Sequence, residues 1–231
     1  MARPVKSTQI PNLKESIKDA AWHQITLSGP SSLSLRKIAR ELHISAPAIY
    51  NYFPDRDALV TALVIDAYLS FGDSQHTAKN HFPEEDQVLE RFRETGIAYR
   101  EWAIRYPHRY LLIFGTPVPG YIPPMHEILP AMVRSMGALA EVIAELYRAG
   151  RLKVQGFPLF DAGTCGGIFQ DAAEPKQEEQ LVYSVAMLVW SRVHGIVSLE
   201  VTGKLPPFGA DCSALYRYEL DAILREFVIA A

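Results

Sequence analysis

Apolar residues recur at helical spacing along nearly the whole chain, and no alternating apolar and polar run is long enough to argue for a sheet. That contrast restricts the fold class to all-α. Behind Asn12, which can cap a helix with Glu15 at its third position, Leu13, Ile17, Ala20, Ala21 and Ile25 form one stripe until Ser28-Gly29-Pro30 stops it. Ser34 caps a second helix in which Leu35, Ile38, Ala39 and Leu42 fall at i, i+3, i+4 and i+7, leaving Arg36, Lys37 and Arg40 on the outer faces. The chain turns at His43-Ile44, and Ser45 caps a third helix. Pro47 is tolerated there because first-turn N–H groups have no helical partner. Pro54 disfavours helical geometry at Phe53, and Asp55 caps a long fourth helix reaching about Lys79. Helices are then expected at about 85–105, 107–115, 125–150, 178–202 and 211–229, with the "GTPVPGYIPP" loop, Gly150 and a loop-rich stretch at 151–177 between them.

With 48% hydrophobic and 21% charged residues, the 231-residue chain can bury a core as one large domain or two small ones. Its most apolar uncharged run, Leu181–Trp190, covers half of the roughly 20 residues that span a bilayer, so no membrane partner is expected. The N-terminal segment has neither an apolar h-region nor a small-residue cleavage site, which leads to the expectation of a cytoplasmic protein. Cys165 and Cys212 lack the spacing of a metal site and read as two free thiols; no metal or other cofactor is expected. His81, His108, His126 and His194 are available for catalysis, yet G-x-S-x-G, H-E-x-x-H and P-loop patterns are absent. The expectation is a protein without catalytic residues, not an enzyme.

Charge and motif then converge on the N-terminal quarter. Residues 1–56 hold eight Lys/Arg against four Asp/Glu, a balance of +4, so the remainder carries −7 of the net −3. Such a split suits a segment that meets a polyanion. Residues 34–53 make a helix, a short turn and a second helix, an arrangement that sets one helix in a DNA major groove while the other braces it across the backbone. Ala46, Pro47 and Ala48 are small enough to let the backbone approach base edges and apolar enough to touch a thymine methyl; Asn51 suits a bidentate contact with adenine. Ser45, Tyr50, Tyr52 and Arg56 are placed to reach phosphates, and Ser34 and Arg36 join them as DNA-binding candidates. The competing reading makes Tyr50 and Phe53 plain core aromatics.

Over residues 12–65, "SLSLRKIARELHISAPAIYNYFPDRDALVTAL" resembles the N-terminal domain of the TetR family of transcriptional regulators, most recognisably in Tyr50, Tyr52 and Phe53 followed by Arg56 and Leu59. The resemblance implies that Tyr50, Tyr52 and Arg56 touch phosphates or brace the recognition helix. His43 stands where the family usually has glycine, at a position expected to need a positive φ, and Tyr52 where histidine is common. "WSRVHGIVSLE" at 190–200 and "YPHRYLLIFGTPVPGY" at 106–121 are similar to a C-terminal subclass marked by tryptophan, histidine and glycine (WHG). That likeness implies a dimer released from DNA by a small molecule.

The C-terminal half supplies matching expectations from its own residues. "LVYSVAMLVWSRVHGIVSLEV" at 181–201 is apolar almost all round and must be covered on more than one side, by its own subunit and by a partner chain or, alternatively, as the central helix of a monomeric core. The last helix, with Tyr216, Leu220, Ile223, Leu224 and Phe227 on one stripe, can complete an intersubunit bundle, which places the homodimer contact at about 178–229. Gly195 is expected to permit close helix packing. Tyr68, Phe71, Phe92, Trp102, Phe114, Tyr121, Met132, Trp190 and His194 are the ligand-binding candidates, set against the plainer reading of each as core. The organisation expected is a helix-turn-helix DNA-binding domain at 1–56, joined by a long helix to an effector-binding and dimerisation domain within 57–231. The function expected is a ligand-responsive regulator, most simply a repressor, on a palindromic double-stranded DNA operator. The alternative is a helical small-molecule-binding protein without sequence-specific DNA binding.

Overall fold

A computed structural model describes residues 12–153, 156–159, 177–206 and 211–229. These residues fold into two compact all-helical units, one formed by the chain up to Ala67 with His108–Ile128, the other by Tyr68–Pro107 with the chain from Leu129. Cys165 lies outside the described residues, whereas Cys212 is a buried free thiol.

In the first unit, α1 (Leu13–Ser28) buries Ile17, Ala20, Ala21 and Ile25, the stripe expected from their spacing. Its start differs from expectation. Asn12 sits in the left-handed region at φ 55° and makes no side-chain cap; instead its carbonyl accepts from the N–H groups of Glu15 and Ser16. Asn tolerates that conformation, and adopting it takes the side chain out of the extended geometry that a capping side chain needs. Helix α2 (Leu35–Glu41) does begin on its expected cap, with Ser34 Oγ accepting from the Lys37 N–H at 3.4 Å. A five-residue α3 (Ala46–Tyr50) follows, and α4 (Arg56–Asn80) opens with Asp55 Oδ1 accepting from the Ala58 N–H at 2.8 Å. Leu35, Ile38, Ile49, Phe53, Leu59 and Leu63 close the core of this unit, together with Tyr110 of α6 (Pro107–Phe114). Lys18 bonds Asp66 at 2.6 Å and Glu15 at 2.8 Å; burial pulls its pKa down, but these bonds outweigh it and hold the ammonium above its ordinary value.

The second unit is built from the remainder of α4 with α5 (Val88–Arg105), α7 (Met125–Arg148, from Leu129 on), α8 (Gln177–Val201) and α9 (Ser213–Phe227). Residues 151–153 pair antiparallel with 227–229 through Lys153 N–H to Phe227 O and Ile229 N–H to Arg151 O. Arg100 of α5 grips Glu200 of α8 with two bonds of 2.6 and 2.8 Å and bonds Ser213 Oγ at 3.0 Å, so one guanidinium ties three helices.

Two expectations about the last helices need correction. The whole apolar stripe of α9, Tyr216, Leu220, Ile223, Leu224 and Phe227, is buried inside its own subunit and is not left for a partner. Gly195 does not serve close packing within the chain: a Cβ there would meet nothing within 4 Å. Among the described residues α8 is also long and apolar enough to cross a membrane, which the short uncharged run had not suggested. Its charges interrupt the run without lowering the mean hydropathy enough. In the unit those charges are paired, Glu200 with Arg100 and Arg192 with Glu219 and Glu226, and Leu181, Val185, Val189, Val193 and Val197 are buried.

Candidate functional site

The first candidate site lies on α2 and α3. Helix α2 ends in a turn where the His43 N–H reaches Arg40 O and the Ile44 N–H reaches Ala39 O at 2.9 Å, with His43 at φ 54°. This is the paired 5→2 and 6→1 closure of a helix C-terminus, and it needs a left-handed residue at the position His43 occupies. The turn aims α3 outward. Ile49 and Phe53 anchor it in the core at 0% and 3% exposure, while the intervening Tyr50 and Tyr52 stand 43% and 45% exposed. The aromatic cluster is therefore divided, one ring inward and two hydroxyl-bearing rings outward, and the core-aromatic reading holds for Phe53 alone.

Around these tyrosines Ser45, Ala46, Pro47 and Asn51 are exposed and Ala48 half-buried. Ser45 is exposed and its side chain makes no capping bond. Arg36 is exposed beside it, as are Lys37 and Arg40, two cations that outward-facing spacing marks but that the candidate set omitted. Ser34 and Arg56 are partly committed. Ser34 caps α2 and its N–H donates to Gln24 Oε1 at 3.2 Å, while Arg56 donates to Pro30 O at 3.3 Å and to Asp57 at 3.2 Å. Arg56 thus braces the start of α4. The resulting face offers cations, hydroxyls, one amide and small apolar groups, which is the inventory for holding phosphates and touching base edges.

A second site lies inside the helical unit. One face of α5, Phe92, Thr95, Gly96 and Tyr99 at i, i+3, i+4 and i+7, borders an apolar cavity with Phe71 and Trp190. Gln75, Met136, Leu139, Val189, Val193 and Leu220 complete the lining. The space open to the centre of a water is about 20 Å³, room for one small molecule of water size. Tyr99 Oη and His194 Nδ1 share a 2.8 Å hydrogen bond, and the rings of Trp190 and His194 lie 4.5 Å apart. Burial holds the His194 imidazole below its ordinary pKa of 6.5.

Of the ligand candidates, Phe71, Phe92 and Trp190 line this cavity, and His194 touches it through Tyr99. Trp102 packs on Phe71 with centroids 5.1 Å apart, and its Nε1–H donates to Ser70 Oγ at 3.0 Å. Tyr68, buried with its hydroxyl pKa raised by desolvation, and half-buried Met132 are not among the lining residues. Phe114 and Tyr121 belong to the other unit, where Phe114 packs on Tyr110 and Tyr121 Oη bonds Thr61 Oγ1 at 2.9 Å. Burial raises the Tyr121 pKa against the opposing effect of that bond. Tyr99, Thr95 and Gly96 were missed, although their spacing from Phe92 is the signal that groups them on one face.

Comparison with known proteins covers both sites. Residues 17–63 match the model for bacterial regulatory proteins of the tetR family, and residues 92–223 match that of the tetracyclin repressor-like C-terminal domain. Over 208 residues the chain is 31% identical to the HTH-type transcriptional regulator Rv1816 of Mycobacterium tuberculosis (strain ATCC 25618 / H37Rv), spanning 86% of this chain and 83% of that protein. It is 28% identical over 214 residues, 91% of this chain and 78% of the relative, to the uncharacterized HTH-type transcriptional regulator Rv0681 of the same strain. The crystal structure of SCO4313 superposes with a TM-score of 0.71 at 33% identity, over 93% of this chain and 96% of that one. A protein of unknown function from Rhodococcus sp. RHA1 shares the fold, with a TM-score of 0.72 at 22% identity over 99% and 100% of the two chains.

Proposed function

This chain belongs to the tetR family of bacterial regulatory proteins, whose members are DNA-binding transcriptional regulators and not enzymes, and we propose that it is a ligand-responsive repressor. It binds a palindromic operator as a homodimer in the cytoplasm and leaves it when a small, mostly apolar effector binds. The observation that carries this reading is the division at α3: Ile49 and Phe53 hold the helix in the core while Tyr50, Asn51 and Tyr52 stand outward beside Arg36. Residues 1–56 are the DNA-reading domain and 57–231 the effector and dimer domain. Tyr50, Tyr52, Ser45, Arg36 and the amide end of α2 at Ser34 hold phosphates, Asn51 reads a base, and Arg56 braces. The elements at 106–121 and 190–200 support the WHG subclass.

Dimerisation is supported by α8. Met187, Ser191, Gly195 and Leu199, four apart on one face, are all exposed, and Met187 and Leu199 are 47% and 43% exposed. A second copy laid along this face would cover it, and two-fold symmetry would set two recognition helices on half-sites about 34–36 Å apart. Release then follows by linkage, because an effector lowers DNA affinity only by binding more tightly to a conformer whose recognition helices are misplaced. Repression needs no activating surface, only occupancy of the operator.

The test is the salt dependence of duplex binding. Affinity is expected to fall linearly with salt on logarithmic axes, with a slope set by the phosphates neutralised, and the Arg36→Ala, Lys37→Ala double variant is expected to flatten that slope by about 2. Salt-independent binding, or a slope unchanged in the double variant, would contradict the reading.

A further inference from the structure

Thr95 stands out among the buried polar groups of the helical unit. It is 1% exposed, it lines the cavity, and its Oγ1 has no hydrogen-bond partner among the described residues. A helical threonine ordinarily returns its hydroxyl to a carbonyl one turn back. An unmet buried hydroxyl is costly, so its retention asks for a reason. A single water fits the space, but a buried water needs two to four polar partners. Of the neighbouring polar groups, Gln75 Nε2 donates to the Phe71 and Ser135 carbonyls, both at 3.3 Å, and Tyr99 Oη is bonded to His194.

The rest of the lining defines what else could meet that hydroxyl. No Asp, Glu, Lys or Arg borders the cavity, so a charged group entering it would lose its hydration without a counter-ion. His194, the titratable group behind Tyr99, does not supply a cation at neutral pH, since burial favours its neutral form. Phe71, Phe92 and Trp190 offer ring faces and edges that suit a flat apolar body. Space is available only by movement of flexible side chains. Leu220 fills the space beside Gly96, where a Cβ would lie 2.7 Å from its Cδ2, so it is the side chain an incoming molecule would have to displace.

We propose that the effector is an uncharged, mainly apolar molecule with one hydrogen-bonding oxygen, a ketone or alcohol, which displaces Leu220 and Met136 and bonds the Thr95 hydroxyl. This rests on the reading of the helical unit as the effector domain and names the chemistry of its ligand.

Titration calorimetry of the full chain with three probes of nearly one shape separates the possibilities: acetophenone carries a neutral acceptor, isopropylbenzene none, and benzoate a charge. Wild type is expected to bind acetophenone about tenfold more tightly than isopropylbenzene, the worth of one hydrogen bond, and not to bind benzoate. Thr95→Val should bring acetophenone down to the level of isopropylbenzene and leave isopropylbenzene unchanged, while Thr95→Ser keeps the preference. Ligand-free Thr95→Val should also melt higher than wild type, because the unmet hydroxyl is gone. The proposal is overturned if benzoate binds as well as acetophenone, if Thr95→Val keeps the preference, or if no probe binds. Duplex binding measured on the same preparations keeps the two claims apart. DNA binding without probe binding overturns the ligand chemistry alone, and probe binding without DNA binding overturns the regulator alone.

Discussion

At His43 a left-handed backbone is occupied by a residue with a Cβ, a conformation that costs about 1–2 kcal/mol in a non-glycine residue. His43→Gly relieves that strain but adds chain entropy to the unfolded state, so a net stabilisation of roughly 0.5 kcal/mol is expected in denaturant melts. His194 sets a pH dependence. Its folded pKa lies below the unfolded value of 6.5, so the unfolded chain binds more protons and stability falls as pH drops below about 6.5. Melting temperatures measured from pH 7.5 to 5 should show this loss in wild type and a smaller one in His194→Gln. Much at this scale was legible in the sequence. The resemblance to a family with glycine in this turn asked for a positive φ at His43, and Pro47 and Asp55 each carry a backbone rule that needs no tertiary context. The unmet hydroxyl of Thr95 was not legible, because an orphaned group is defined by what distant helices fail to offer. Asn12 misled for a similar reason: the same residue type serves as a cap or as a left-handed residue, and its spacing from Glu15 does not choose between them.

Among the elements, α8 carries the most consequence. Its buried side is tied to α5 by the Arg100–Glu200 pair, whose side chains are only 11% and 15% exposed. The hydrogen bonds to Glu200, partly offset by burial, raise the Arg100 pKa, and removing the carboxylate would leave a cation largely out of water. Glu200→Ala is expected to destabilise the chain by about 3 kcal/mol, read as a shift in the urea midpoint. The opposite side, Met187 to Leu199, makes no comparable commitment. Met187→Glu with Leu199→Glu should convert a dimer to a folded monomer in sedimentation equilibrium; a dimer that survives both charges would move the interface elsewhere. Helical periodicity was enough to find each of these elements, since the pattern is local. It could not say that α9 spends its apolar stripe at home, because a stripe shows that cover is needed and not which chain supplies it.

For the whole molecule, charge and fold point the same way. The excess of cations in residues 1–56 accompanies the helix-turn-helix, and the helical remainder is net acidic. The cavity is small, well short of the 300 Å³ and more that ligand sites usually offer, so effector binding is expected to require opening of the helical unit. Hydrogen exchange in α5 and α8 should therefore quicken or slow on effector binding, and unchanged exchange would count against a site there. That residues 108–128 join the first unit was invisible to a reading of local patterns, because association between segments far apart in sequence leaves no periodic trace. The regulatory role proposed for this molecule depends on α3 reading DNA sequence. Selection from randomised duplexes at moderate salt, followed by sequencing, tests it with wild type and Tyr50→Ala side by side. A palindrome enriched by wild type and lost or strongly weakened in the variant is expected; a folded wild type that enriches no sequence over random DNA would contradict sequence reading through α3.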